Sequence, residues 1–448
     1  MSSATDVDLQ KVLRDNGFDN SELRMRSWEL NCTVPTILEF PALFRKKNIL
    51  HPTLCGIFSL YLFIMLGVLC NDYLVPSMER LCYALRMTYD VAGATFLAAA
   101  TSTPELFVNF VGTFVTEGDI GVAAIVGSSV FNTLAVAAVC GIFTGVSEQL
   151  DWWPITRDII WYLIAIAALC AVLYDANVSA IESGLMLACY FCYLLLLVLD
   201  RVIQSFFRGD NIYTTQVTED PLDREESPLM SFRDHVCRMP GEESGKCAFI
   251  WWIIKYPCAL ILALTIPSVR TFYFLTMLMA IIWIGATCYL LTWFLTVIGY
   301  NIGIPDTLMG LTVLAAGTSV PEAISSYILT KKGYGAMAIG NAIGSNTFDI
   351  LVCLGLPWIL KALILNKNVI INSSGLAITA SCLAVTAIML YLTFLLTKFV
   401  LGKTVGWLSL VTYVLFLIVS CAMEMYLQKP VCNIESEEYA YLTKDQWW

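Results

Sequence analysis

The stretches AATSTPEL, residues 99–106, and AGTSVPEA, residues 316–323, decide how this chain is read. Each sets a glutamate, Glu105 or Glu322, directly after a proline in strongly apolar sequence, and the second copy follows the first by 217 positions. Aligned without a gap from Gly93 and Gly310 to Val136 and Cys353, about fifteen of forty-four positions are identical. They gather in T-x-LAA-x-TS-x-PE and, downstream, in GS-x-x-F.

The surrounding sequence names the solvent. Of 448 residues, 58% are hydrophobic and only 14% charged, and the mean hydropathy is +0.71. A soluble chain of this length cannot bury so much apolar surface, so the segments cross a bilayer, and in lipid they do so as helices. Windows of about 20 apolar residues fall at roughly 51–70, 89–115, 120–144, 155–174, 181–200, 271–298, 305–330, 335–362, 372–397 and 405–427. The fold class is therefore an all-α polytopic membrane protein, with about ten transmembrane helices as two inverted five-helix repeats. The expected divisions are an extracytoplasmic segment 1–50, a first transmembrane repeat 51–200, a cytoplasmic loop with an interfacial segment 201–270, a second repeat 271–427 and a tail 428–448. The segment 248–266 is assigned to the interface because an eleventh crossing would point both repeats the same way. Its Lys255, Pro257, Pro267, Trp251 and Trp252 suit that position.

Loop charges give an independent orientation. Lys331, Lys332, Lys398, Lys403, Arg201, Arg208 and Arg224 all fall on one side of ten spans, which makes that side cytoplasmic; Arg45, Lys46 and Lys47 count against it. The glycosylation sequons at Asn31 and Asn372 then lie outside. No charged start followed by an apolar run marks a signal peptide at the N-terminus. The sixteen cysteines are mostly scattered singly through apolar spans, where they read as small buried hydrophobes. Cys32 and Cys432 share the outer side and are candidates to pair. With two histidines, His51 and His235, and no CxxC, an imidazole or thiolate metal site is not expected.

What remains is oxygen chemistry. Pro104 and Pro321 remove backbone donors and are expected to break their helices near the midplane, freeing carbonyls beside the glutamates. Thr101 and Ser102 precede Glu105 by four and three residues, as Thr318 and Ser319 precede Glu322, so hydroxyl and carboxylate share a helical face. The second repeated element, GSSVFN and GSNTFD, supplies Ser128, Ser129 and Asn132, and Ser345, Asn346 and Asp349, with Gly127 and Gly344 allowing close helix approach. Each carboxylate at the bilayer centre costs roughly 2.5–3.5 kcal/mol without a partner, and no Lys or Arg is expected in these four spans to pair with them. Hard oxygen donors of this kind suit calcium, sodium and potassium. The candidate cation ligands are Glu105, Glu322, Asp349, Thr101, Ser102, Thr318, Ser319, Ser129, Asn132 and Asn346, while Asn109, Ser325 and Ser326 are evenly balanced between ligand and helix glue. Asp306 reads as a helix cap.

GATFLAAATSTPEL through GSSVFN, and GLTVLAAGTSVPE through GSNTFDI, resemble the paired alpha repeats of the sodium/calcium exchangers, most closely the potassium-dependent branch. The stretches CNDYLVPSMERLCYALRMTYDVAGATF and LGLPW carry the resemblance over most of residues 51–427 outside the central loop. It implies a ten-span antiporter in which inward sodium movement expels calcium together with potassium. In it Glu105 and Glu322 are the central ligands and Asp349 is the position linked to potassium. Three carboxylates balance one calcium and one potassium; two would balance calcium alone. The chain departs from the branch at Ala100 and Thr103, where many members have GSSAPE, and at Glu322, where Asp is usual. The alternative reading is a potassium-independent sodium/calcium or proton/calcium exchanger. No enzyme activity, cofactor or nucleic-acid partner is expected. The partners are the lipid bilayer and the three transported ions, and the location is the plasma membrane or else an organelle membrane.

Overall fold

A computed structural model of the chain describes residues 37, 40–41, 50–85, 98–116, 118–145, 147–208, 246–267, 269–331, 333, 335–366, 368–371 and 374–427. Asn31, Asn372, Cys32, Cys432, His235, Arg224, Lys332, Gly93 and the basic run 45–47 lie outside the described residues. Among the described residues eight helices are long and apolar enough to cross a bilayer, and one bent pair makes a ninth span.

In chain order these helices are α1 (Leu50–Ala84), the short α2 (Ala98–Thr101) and α3 (Thr103–Phe114), and α4 (Ile120–Phe143). Next come α5 (Trp152–Leu173), α6 (Ala180–Arg208), α7 (Lys246–Thr265) and α8 (Val269–Ile302), which kinks at Phe272. The bent pair is α9 (Asp306–Thr318) and α10 (Val320–Lys331). Helix α11 joins Gly335–Phe348, a π-helical turn Asp349–Leu354 and Gly355–Leu365, and α12 (Ser374–Leu396) and α13 (Lys403–Leu427) complete the chain.

Polarity is arranged as lipid demands. Large apolar side chains such as Leu60, Phe191, Val411 and Ile418 face outward, whereas every residue of Ile120–Val130 on α4 is buried. Two apolar cores result. One joins α4, α5, α11 and α12 through side chains such as Tyr162, Ile166, Trp358 and Phe394. The other joins α1, α7 and α8 through Leu66, Leu69, Leu262, Ile284 and Leu291.

Helix α1 runs past the predicted end at residue 70. Asn71 and Asp72 follow that apolar window, but Asp72 sits in a π-helical turn, Leu69–Leu74, and accepts from Lys255 Nζ at 2.7 Å. That ion pair spans 183 residues, which is why the continuation could not be seen locally. It ties α7, the segment predicted to lie at the interface, against α1. The apolar part of α7, Phe249–Thr265, is shorter than the spanning helices.

Two small strand pairs orient the bundle. Strand β1 (Glu148–Gln149), before α5, pairs with β4 (Val400–Leu401), before α13; β2 (Asn177–Val178), after α5, pairs with β3 (Val369–Ile370), before α12. The 22 residues of α5 separate the two bridges by about 33 Å at 1.5 Å per residue. Within the repeat, the connection carrying β1 corresponds to the one carrying β3, yet the two lie at opposite ends. Glu148 also accepts from the Gly335 amide at 2.6 Å, and Asp200 near the end of α6 holds Arg157 at 2.6 Å at the start of α5. Lys331, Lys398, Lys403 and the chain at Arg201 thereby gather at one end.

Helices α4 and α9 touch nearly backbone to backbone. A Cβ on Gly127 would overlap the Leu311 carbonyl oxygen, and one on Gly310 would come within 2.6 Å of the Ile120 carbonyl oxygen. Gly344, the repeat partner of Gly127, meets nothing nearer than 3.7 Å, so the close approach expected at both positions occurs at only one. Gly127→Ala should therefore destabilise the protein by about 1–3 kcal/mol. Gly340→Ala, with open space at its Cβ, should stabilise α11 by roughly 0.5–1 kcal/mol through lower backbone entropy. Thermal unfolding of the two variants in detergent checks the contrast, and equal melting temperatures would contradict the packing.

Candidate cation site

Both repeated motifs break their helices, one residue before the Thr-Pro or Val-Pro pair. Ser102 separates α2 from α3 at φ −88°, ψ 6°, and Ser319 separates α9 from α10 at φ −89°, ψ −1°. The axes of α9 and α10 differ by 41°. The missing proline donors cost the Ala100 and Gly317 carbonyls their helical partners. Neighbouring carbonyls are covered by hydroxyls: Thr101 Oγ1 donates to Ala98 O at 3.1 Å, Thr103 Oγ1 to Ala99 O at 2.7 Å and Thr318 Oγ1 to Leu314 O at 3.1 Å. Each such hydroxyl has used its proton, so the lone pairs of Thr101 and Thr318 face the site as acceptors. Glu105 and Glu322 fall in the first turns of α3 and α10, where the positive end of the helix dipole favours an anion.

The motifs serve each other. Ser319 Oγ donates to Glu105 Oε1 at 3.4 Å, with Thr318 also beside Glu105; Thr101 and Asn132 of the first repeat flank Glu322. Asp349 opens the π-helical turn of α11 next to Ser102 and within electrostatic reach of both glutamates. Glu105, Glu322, Asp349, Ser102, Thr318, Ser319, Ser129, Asn132 and Asn346 are all at least 98% buried, and Thr101 is partly buried.

Burial has left oxygen without partners. Ser102 Oγ, Glu105 Oε2, Ser129 Oγ, both polar atoms of the Asn132 amide, both oxygens of Glu322, Asn346 Oδ1 and Asp349 Oδ2 make no hydrogen bond. Each orphaned neutral group costs about 1–3 kcal/mol, and a charged one more, so a cation drawn to these atoms would relieve a penalty already built into the fold. No ion pair among the described residues involves the three carboxylates. A basic residue does lie in the same span as Asp349, contrary to the sequence reading. Lys361 is buried, but it follows Asp349 by twelve residues, about 18 Å along the helix, and donates to the Thr113 carbonyl at 2.8 Å. Among the described residues no three His, Cys, Asp or Glu side chains form a ready metal cage. An ion held here therefore draws on hydroxyl, amide and carbonyl oxygen as well.

The remaining candidates divide. Ser128 and Ser345 donate to their own helices, at Ile125 O and Ala342 O. Asn346 Nδ2 donates to Thr133 Oγ1 at 2.8 Å, tying α11 to α4 and leaving its oxygen free. Asn109 Nδ2 donates to the Cys353 carbonyl at 2.7 Å, a brace between α3 and α11, while Ser325 turns back to Glu322 O. Ser326, the repeat equivalent of Asn109, is buried with an unpaired hydroxyl. Sequence reading missed Thr347, whose buried hydroxyl is also unpaired, and it missed the thiols of Cys353 and Cys288, which touch Ser102 O and Pro104 O. It missed as well the π-helical turn Phe131–Ala135, which carries Asn132 and matches the one that carries Asp349. Such turns recur at functional sites, but the only signal in sequence is the repeated Phe-Asn and Phe-Asp pair.

The family profile described as sodium/calcium exchanger protein matches residues 55–199 and 272–422. The sodium/potassium/calcium exchanger 4 of Mus musculus is 30% identical, the match covering 90% of this chain and 88% of that protein. The sodium/potassium/calcium exchanger 5 of Homo sapiens is 33% identical over 79% of this chain and 80% of its own length. A solved structure of the sodium-calcium exchanger NCX_Mj, soaked with sodium and strontium, aligns with a TM-score of 0.47 and 21% identity over 81% of this chain and 97% of that one.

The orphaned oxygens make a stability prediction. Calcium at one hundred times its dissociation constant should stabilise the purified protein by about 2.7 kcal/mol, and Glu105→Gln or Glu322→Gln should lose most of that gain. In ion-free buffer Glu322→Gln should melt no lower than the unsubstituted protein, because a buried uncompensated carboxylate has been removed. Melting curves with and without calcium decide it; a full calcium shift in both variants would exclude the glutamates as ligands.

Proposed function

The chain belongs to the sodium/calcium exchanger family, and from that premise we propose that it is a secondary active antiporter exchanging sodium for calcium plus potassium by alternating access at a midplane carboxylate site. Its membrane-spanning helices make it a multi-pass integral membrane protein. The observation that carries the reading is the crossing of the two motifs, Ser319 of one repeat donating to Glu105 of the other within a buried cluster of partnerless oxygens.

In this reading Glu105 and Glu322 are shared by the competing ions, with Thr101, Ser102, Thr318, Ser319, Ser129, Asn132 and Asn346 completing the coordination. Calcium takes about 6–8 oxygen ligands, which exceeds what the carboxylates supply alone. Asp349 adds the third negative charge that one calcium with one potassium would balance. Its counterpart is the neutral Asn132, so the charge is asymmetric between repeats that are otherwise alike. Because sodium and calcium occupy the same carboxylates in turn, their fluxes are coupled.

Alternating access needs two bodies and a reason to move only when loaded. Helices α1 and α8 share one apolar core and α5, α11 and α12 another; the candidate ligands lie on α2, α3, α9 and α10 and on α4 and α11, where the two cores approach. An unliganded site carries several uncompensated carboxylates, so enclosing it in apolar surroundings costs more than enclosing a neutralised one. Repeats 51–200 and 271–427 are read as the two inverted halves, the side bearing Lys331, Lys398 and Lys403 as cytoplasmic, and the plasma membrane as the location.

In reconstituted vesicles an imposed sodium gradient should drive calcium uptake that requires potassium. Glu105→Gln and Glu322→Gln should fall to the background of empty vesicles, and full flux in either would remove that glutamate from the site. Asp349→Asn should relax the potassium requirement. Calcium flux in the unsubstituted protein that ignores potassium, or follows a proton gradient, would replace this reading by a potassium-independent or proton-coupled exchanger.

A further inference from the structure

One part of the buried cluster is not built from oxygen alone. Cys353 lies on the same π-helical turn as Asp349, fully buried, with Sγ 3.8 Å from Asp349 Oδ1 and 3.7 Å from the Ser102 carbonyl oxygen. The thiol has one proton for two acceptors. Its backbone is held from the other side by Asn109 Nδ2 on the Cys353 carbonyl at 2.7 Å. Asp349 Oδ2 and Ser102 Oγ, both fully buried, have no partner.

These separations resemble the edges of a metal polyhedron. A divalent ion with a metal–sulfur distance of about 2.3 Å and metal–oxygen distances of about 2.0–2.2 Å sets sulfur and oxygen roughly 3.5–3.6 Å apart in a tetrahedral site. The observed sulfur–oxygen spacings are within a few tenths of an ångström of that, and the free Ser102 hydroxyl or a water can supply a fourth ligand. We propose that Asp349, Cys353 and the Ser102 carbonyl form a mixed sulfur and oxygen subsite that captures a thiophilic divalent cation, such as cadmium or zinc, and thereby blocks the protein. The proposal rests on the exchange reading only in treating Asp349 as part of the transported ions' site.

The chemistry separates this ligand from calcium. Calcium and sodium are hard cations that take oxygen and gain little from a thiol, whereas thiolate is preferred by softer metals. On capture the S–H bond breaks, a sulfur–metal bond forms and one proton is released to the solvent, since the thiolate is the ligand. Capture therefore strengthens as pH rises. A metal held by both sulfur and carboxylate leaves slowly, so it occupies the site without completing a transport cycle.

Binding is read on the purified full-length protein with cadmium alone, through the ultraviolet thiolate-to-cadmium charge-transfer band, which does not depend on transport. The expected result is a band that excess calcium displaces and that both Cys353→Ser and Cys353→Ala lose, while Cys70→Ser and Cys288→Ser keep it. In vesicles, the cadmium needed to halve each variant's own calcium flux should rise at least about tenfold in Cys353→Ser, a change of about 1.4 kcal/mol. A displaceable band of unchanged size in both Cys353 variants would overturn the proposal, as would a band that calcium fails to displace. Absence of sodium-driven calcium flux in the unsubstituted protein would count against the exchange reading, and the spectroscopic result would still decide the subsite.

Discussion

Everything in this molecule is arranged around the cost of keeping Glu105 and Glu322 away from water. A soluble protein would hydrate such groups or pair them with lysine or arginine. Here the nearest compensation is a helix N-terminus and, for Glu105, the Ser319 hydroxyl lent by the opposite repeat. The threonines at the breaks donate their protons to their own backbone, which leaves the site rich in lone pairs and poor in donors. That imbalance sets the cluster apart from an ordinary buried hydrogen-bond network, in which donors and acceptors match, and it is what the proposed cation site rests on.

The two repeats share this framework and differ where difference has consequences. Asn132 and Asp349 occupy matching π-helical turns with unlike charge. Ala100, where the second repeat has Gly317, is fully buried without needing a glycine, whereas a Cβ on Gly317 would overlap the ring of Phe63. The change at Ala100 therefore leaves the break at Ser102 intact, with nearly the same backbone angles as at Ser319. The interlock at α4 and α9 is likewise one-sided, since Gly127 requires its glycine and Gly344 does not. Twofold sequence similarity thus yields a site with a twofold frame and asymmetric contents.

The membrane class and the positions of the glutamates were legible because both follow from local rules: long apolar windows, and charges inside them. Asp349 was legible as a third buried charge. Contacts between distant residues were not. Asp72 in α1 meets Lys255 across 183 residues, the brace from Asn109 reaches Cys353 across 244 residues, and the tie from Asn346 reaches Thr133 across 213. Cysteines scattered singly through apolar spans read as small hydrophobes, and for Cys140 or Cys258, enclosed in the apolar cores, nothing contradicts that. Cys353 differs only because the fold turns it toward a carboxylate and a carbonyl at a helix break.

In the proposed exchanger the helix break would make ligand and gate one part. Ser102 and Ser319 interrupt their helices two residues before a proline, so the segments on either side are not locked by a continuous ladder of hydrogen bonds. The same two serines point at carboxylates of the other repeat, Ser319 at Glu105 and Ser102 at Asp349. In the proposed cycle an ion that neutralises those carboxylates would change the interaction that spans the break, and a rotation at the break would move a proposed ligand. In a bundle with two apolar cores meeting at these helices, the proposed exchange cycle would couple occupancy to motion through where the oxygen atoms are attached, with no separate transmission pathway required.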